Sequence, residues 1–197
     1  MAVRTGTSEA STTSRILDIG ERLVQTRGYN AFSYADVAAE LDVSKAALHY
    51  HFPAKAELGE ALLRRYVARF TDALATIDAE VGDAPRKLFC YAELYADVLK
   101  RGRMCLCGIL AAEFETLPEP MRAIVVGFFD DNEIWLSKVL EQGRLDGSLT
   151  FTGSARQAAR FVIATLEGAM LVTRPFGGVM RFRNALNSLV VGLRTRS

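Results

Sequence analysis

An all-α fold is the class this chain of 197 residues predicts, and three observations predict it. Apolar residues recur every three or four positions in segment after segment. No segment alternates apolar and polar side chains with the period of a strand. The segments are also separated by helix-ending signals: Gly28, Pro53, Gly82 to Pro85, Pro118 to Pro120 and Asp146-Gly147.

Taken in order, residues 1–10 (MAVRTGTSEA) have no apolar periodicity and read as a disordered leader without the apolar core of a signal peptide. A first helix is expected from about Thr13 to Thr26, with Ile16, Ile19, Gly20, Leu23 and Val24 at helical spacing and Gly28 as its stop. Two short helices follow within residues 34–53. Ser33 caps the first, which turns Val37, Ala38 and Leu41 to one side. Asp42-Val43 forms the joint, Ser44 caps the second, and Ala47, Leu48 and Phe52 face inward. Pro53 ends the pair, because the residue before proline avoids the helical region.

A long helix from about Lys55 to Asp78 carries the stripe Leu58, Leu62, Tyr66, Phe70, Leu74 and Ile77. Next come a helix from about Arg86 to Lys100, a short apolar helix around MCLCGILAAEFETL, and a helix from Pro118 to about Gln142. The last of these has apolar residues on more than one face, so a central place is expected for it. Two final helices, about Ser154 to Pro175 and Val179 to Arg194, each show one apolar stripe.

Composition limits what the chain can do. Half the residues are hydrophobic, enough for a substantial core. The formal net charge of +1 is too small to make the molecule a polycation. Residues 1–55 balance six bases against six acids, whereas five arginines and no acid lie between Arg174 and Arg196. No run of about 18 apolar residues exists to span a bilayer. Three cysteines suit no framework of bridges, and a reducing cytoplasmic location is the expectation.

Helix, tight joint and helix with polar groups exposed on the second is the layout that reads a DNA major groove. Lys45 begins the second helix where a phosphate is in reach, and residues 44–51 (Ser44, Lys45, Ala46, Ala47, His49, Tyr50, His51) can present side chains to bases or backbone. Ala47 offers a methyl contact to thymine but no hydrogen bond.

The segment VSKAALHYHFPAKAEL at residues 43–58 resembles the signature of the tetracycline-repressor (TetR) family of bacterial regulators, usually V-S-K-G-T-L-Y-H-Y-F-P-S-K-E-E-L. Arg15, Ala31 and Phe32 extend the similarity back through the first helix. Ala46 and Ala47 replace Gly and Thr, and His49, Tyr50 and His51 stand where Tyr, His and Tyr are usual. These departures bear on which operator is read more than on whether DNA is bound.

The resemblance implies a three-helix head at residues 11–71 and a ligand-binding and dimerisation body at residues 72–197. It also places Ser33, Tyr34 and Lys55 near phosphates. It implies a homodimer on a double-stranded, near-palindromic operator, released by a small apolar or aromatic effector, and no cofactor. The last two helices would then pair with their copies through Phe161, Thr165, Gly168, Ala169, Val172, Phe182, Leu186, Leu189, Val190 and Leu193. The effector pocket in the body would be lined by Phe89, Tyr95, Cys105, Phe128, Trp135 and Phe161.

Cys105 and Cys107 admit two readings. Apolar neighbours favour packing. Arg101 and Arg103 favour a lowered thiol pKa and a redox or electrophile sensor. Cys90 reads as core. His49 and His51 do not read as a metal pair, since residues two apart on a helix diverge by about 200°. Glu113 and Glu115 diverge for the same reason and read as solvated surface. No phosphate loop, dinucleotide turn or nucleophile elbow is present, so no catalytic residue and no enzymatic activity are expected.

Overall fold

The computed structural model describes residues 5–193, with side chains from residue 12 onward. Its described elements are helical: α1 (Thr5–Arg27), α2 (Tyr34–Leu41), α3 (Lys45–His51), α4 (Lys55–Glu80), α5 (Ala84–Lys100), α6 (Leu106–Ala112), α7 (Glu119–Leu145), α8 (Ala155–Thr173) and α9 (Met180–Leu193). Short 3₁₀ turns occupy Phe114–Thr116 and Arg174–Phe176. The chain is all-α, as its periodicity predicts. Helix α1 begins at Thr5 and so takes in residues 5–10 of the expected leader. A helix already nucleated extends at little cost per residue, even through weak formers. Residues 1–4 lie outside the described part.

Two compact units form. The first gathers residues up to Val67 together with Leu106–Val125, and the second Ala68–Cys105 together with the chain from Val126 onward. The sequence-based expectation divides the chain near residue 71; the compact units change over between Val67 and Ala68, and residues 106–125 return to the first unit.

Polar anchors and a close backbone approach explain that return. The Tyr29 N–H donates to Glu113 Oε2 at 2.6 Å and the Asn30 N–H to Glu113 Oε1 at 3.4 Å. Asn30 Nδ2 donates to Thr116 Oγ1 at 2.7 Å. Gly28 closes α1 at φ +94, and a Cβ there would lie 2.6 Å from Glu113 Oε1. Met121 packs on α4 where Gly59 has no side chain, since a Cβ at Gly59 would lie 2.6 Å from its sulfur. Glu113 is therefore an acceptor for the turn after α1, and the expectation of solvated surface is corrected.

In the second unit α5, α8 and α9 pack on one another. Phe182, Leu186, Leu189, Val190 and Leu193 of α9 are buried in the protomer's own core. Four of them interlock with Leu88, Ala92, Val162 and Leu166 of α5 and α8. Asp83 caps α5 by accepting from the Arg86 N–H at 2.9 Å, with Pro85 in the first turn. Ser154 and Gln157 form a reciprocal capping box at the start of α8.

Candidate functional site

The joint between α2 and α3 is built by local chemistry. Ser33 caps α2. Its N–H donates to Asp36 Oδ2 at 2.8 Å, its hydroxyl donates to the same oxygen at 2.7 Å, and its Oγ accepts from the Asp36 N–H at 3.4 Å. These bonds hold the Asp36 carboxyl below its usual pKa. At the other end Asp42 takes the left-handed conformation (φ 56), and the N–H groups of Asp42 and Val43 converge on Ala38 O. Ser44 then caps α3 by accepting from the Ala47 N–H at 3.2 Å.

Buried Leu48 anchors α3, while Ser44, Lys45, Ala46, His49 and Tyr50 are exposed. Tyr50 is 75% exposed, and its ring meets His51 edge-to-face at 5.4 Å between centres. Ala47 and Phe52 are half-buried and complete the inner face, as expected.

Three of the expected DNA contacts are partly spent within the head. The Tyr34 ring is buried and its hydroxyl donates to Phe52 O at 2.7 Å, which ties the end of α3 to the start of α2. Burial, with Glu57 and Tyr29 adding to it, pushes this phenol up to about 12. Lys55 sets its ammonium over the rings of Tyr29 and Phe32, at 4.6 and 4.7 Å from their centres, and partial burial lowers its pKa. The Ser33 hydroxyl has given its proton to Asp36. A shallow cleft lined by Phe32, Ser33, Tyr34, Ala35, Lys45, His49 and Lys55 lies beside α3, with two lysines on its wall.

The two histidines turn apart. His49 Nδ1–H donates to Pro53 O at 3.1 Å, while His51 Nδ1 lies 3.1 Å from Thr13 Oγ1 on α1.

In the body, the structure brings together four of the six expected pocket residues. Tyr95, Cys105 and Phe128 are buried, and Trp135 stacks on Tyr91 at 5.6 Å. Phe89 (42% exposed) and Phe161 (59% exposed) point outward and do not line the interior, because their positions on α5 and α8 fall opposite the buried stripes. Phe70, Tyr91, Asn132 and Glu167 complete the cluster. Sequence reasoning passes over all four as pocket residues, and two of them, Asn132 and Glu167, are polar. Both sit in apolar stripes: Asn132 is four residues from Phe128 and Leu136, and Glu167 is four from Ile163 and three from Met170. A polar residue at such a position is the signal that was there to read.

Cys105 precedes α6 and Cys107 lies in its first turn; both are buried, and Cys90 is half-buried. The Cys105 thiol donates to the Glu167 carboxyl.

The α9 part of the expected interface is corrected by burial. Phe182, Leu186, Leu189, Val190 and Leu193, with Ala169 of α8, are spent inside the protomer. Phe161, Gly168 and Val172 stay exposed and Thr165 half-buried. Leu171, Met180 and Val191 add exposed apolar surface that the stripe analysis does not select.

A capped helix pair with an exposed, polar second helix, carried on a helical body, defines a helix-turn-helix DNA-binding regulator. Among the described residues no helix is long and apolar enough to cross a membrane. Residues 16–62 match the model of the bacterial regulatory proteins of the tetR family, and residues 84–189 match a tetracyclin repressor-like C-terminal domain. The chain belongs to the TetR family.

It is 29% identical over 185 residues to the HTH-type transcriptional repressor NemR of Escherichia coli (strain K12), covering 91% of this chain and 92% of that one. It is 26% identical over 160 residues to the repressor DhaR of Mycobacterium sp. (strain GP1), covering 79% of each. Among solved structures, a TetR-family regulator from Agrobacterium tumefaciens superimposes with a TM-score of 0.90 at 30% identity, covering 94% of this chain and 99% of that one.

Proposed function

We propose that the protein is a repressor that binds a near-palindromic operator as a homodimer and is released by a small apolar or aromatic effector. The observation that carries this reading is the exposure of Lys45, Ala46, His49 and Tyr50 on a helix whose opposite face is anchored by Leu48. An exposed tyrosine and lysine on a pinned helix are suited to phosphate and base contacts.

Pairing of two copies is supported by the exposed apolar side chains of α8 and α9. Phe161, Leu171, Val172, Met180 and Val191 are each at least 59% exposed, which is more apolar surface than two helices of a monomer ordinarily leave to water. Two-fold symmetry then matches two half-sites on the DNA.

Aromatic packing in the body supports an apolar effector. Phe70 meets Tyr91 and Tyr95 at 6.0 Å and Phe128 at 5.0 Å between ring centres, all near-perpendicular. An effector shifts DNA affinity only by its differential affinity for the binding and non-binding states.

A second reading is thiol control through Cys105 or Cys107. The similarity to NemR, whose reduced form is among the solved structures (TM-score 0.77, 27% identity, 93% of this chain and 98% of that one), supports it. Burial of both sulfurs and the carboxyl beside Cys105 oppose a thiolate, which ranks this reading second.

The test is fluorescence anisotropy with the DNA upstream of the protein's own gene, before and after mild oxidation, in the parent, Cys105→Ser and Cys107→Ser. Release by apolar aromatic compounds in all three proteins supports effector control. Release by oxidation that one serine variant loses transfers control to that thiol. Absence of competitor-resistant binding in every state would show that this DNA does not contain the operator.

A further inference from the structure

The second unit contains a buried polar cluster whose hydrogen bonds run in one direction. Asn132 Nδ2 donates to Phe128 O at 2.7 Å, so Asn132 Oδ1 is the acceptor for the Tyr91 hydroxyl at 2.9 Å. Tyr91 has a single proton and has given it to Asn132. In the 2.9 Å contact between Tyr91 and Tyr95, the donor is therefore Tyr95. The chain of protons runs from Tyr95 to Tyr91 to Asn132 to a backbone carbonyl. It leaves the Tyr95 oxygen with lone pairs and no proton to offer.

Glu167 of α8 adjoins the same cluster, close enough that its charge opposes ionisation of both tyrosines. The carboxyl accepts from the Cys105 thiol, which leaves part of its acceptor capacity unused. Its Oε1 is shut off from solvent and has no hydrogen-bond partner among the described residues. Buried acceptors without donors are costly, and natural interiors rarely keep them. The cluster has a surplus of acceptors, a latent negative charge and no basic side chain among its hydrogen-bonded members. What it lacks is a group that brings N–H donors and positive charge together.

The surroundings suit such a group. Trp135 stacks on Tyr91 at 5.6 Å, and Phe70 stands edge-on to Tyr91, Tyr95 and Phe128. Aromatic faces attract ammonium ions, Trp and Tyr more than Phe, and their area favours an apolar body behind the charge.

We propose that the interior of the second unit binds a protonated amine on an apolar or aromatic body, with the Glu167 carboxylate as counter-ion and the Tyr95 oxygen as second acceptor. This rests on the reading of the protein as an effector-released repressor, and it narrows the effector from apolar molecules in general to amphiphilic cations. At pH 8, where Glu167 is ionised, anionic ligands of the same shape are excluded, because they would set two negative charges together with no donor between them.

Trp135 is the chain's single tryptophan and serves as the reporter. Its fluorescence is titrated at pH 8 with phenethylammonium, with propylbenzene as the neutral isostere, and with 3-phenylpropanoate as the anion. Phenethylammonium is expected to give a saturable change and to bind about ten-fold or more tightly than propylbenzene, the scale of a charge-assisted hydrogen bond. The anion is expected to give none. In Glu167→Gln, which keeps the volume and an acceptor for Cys105, the advantage of the cation is expected to vanish while propylbenzene binds as before.

Equal binding of cation and isostere in the parent overturns the proposal. So does a cation preference that survives in Glu167→Gln, or a Trp135 signal that phenethylammonium does not change. DNA binding measured without any probe tests the repressor reading separately. Release of DNA by propylbenzene without cation preference would leave effector control standing and remove the amine.

Discussion

Glu167→Gln tests the buried acid through stability alone, without any ligand. Burial raises the Glu167 carboxyl from its ordinary 4.5 to about 7, against the opposing effect of the Cys105 hydrogen bond. A folded-state pKa above the unfolded one means the native state holds its proton more tightly than the unfolded chain does. The contribution to stability is therefore complete below the unfolded pKa of 4.5 and is lost as pH rises through about 7. At 1.36 kcal/mol per pH unit, the full loss is roughly 3 kcal/mol. Because the residue as a whole is only half-buried although its Oε1 is sealed, that figure is an upper bound.

Glutamine has no proton to lose, so Glu167→Gln is expected to match the parent near pH 5 and to be more stable at pH 8. For a chain of this size each kcal/mol moves the melting temperature by about 2–4 °C. Urea unfolding at pH 5, 6, 7 and 8 is the assay, at one fixed protomer concentration because association adds to apparent stability. Tyr91 and Tyr95 do not confuse the profile, since burial pushes both phenols further above this range. Parallel pH profiles for parent and variant would refute the reasoning. They would mean that the carboxyl finds solvent or a partner in the folded protein.

Three further outcomes follow from the same contacts. Glu113→Ala removes the acceptor of the Tyr29 and Asn30 N–H groups and is expected to cost about 1–3 kcal/mol in urea unfolding. The exposed Glu115→Ala is expected to stay within about 0.5 kcal/mol. Tyr34→Phe deletes the bond to Phe52 O and is expected to lower stability by about 1 kcal/mol. It should weaken DNA binding without touching DNA, by loosening the end of α3. Val172→Asp, at a residue 62% exposed, is expected to give a folded monomer in sedimentation analysis. Leu186→Asp, at 1% exposure, is expected to unfold the protomer, as a charge there is buried without a partner.

How much of this is legible in the sequence depends on how local the physics is. Caps are local. Ser33, Ser44 and Ser154 are readable because each needs only its own next turn, and Pro53 ends α3 where its steric rule says. Helix stripes are local too, but they tell only that a face is buried and not against what. The α9 stripe of Phe182, Leu186 and Leu189 looks the same whether it meets a second copy or the same chain, and it meets α5 and α8 of the same chain. The true outer face is marked by residues such as Leu171 and Val191, which fall outside the strongest stripe.

Long-range polar contacts are the least legible. Glu113 meets Tyr29 across 84 residues, and Glu167 meets Cys105 across more than 60, so no spacing rule connects either pair. Of the residues expected to line the pocket, Tyr95 and Phe128 are buried because they fall on the inward stripes of their helices. Phe89 and Phe161 fail because an aromatic in a helix is not thereby inside.

The most direct test of the central claim is an anisotropy titration of a selected palindromic duplex with the parent, Lys45→Ala and Tyr50→Ala, each at several salt concentrations. The account predicts two protomers per duplex for the parent and weaker binding for both variants. Lys45→Ala is also expected to show a salt dependence shallower by about one counterion per half-site. Variants that bind as the parent does, with the same salt slope, would contradict the assignment of α3 as the surface that reads DNA.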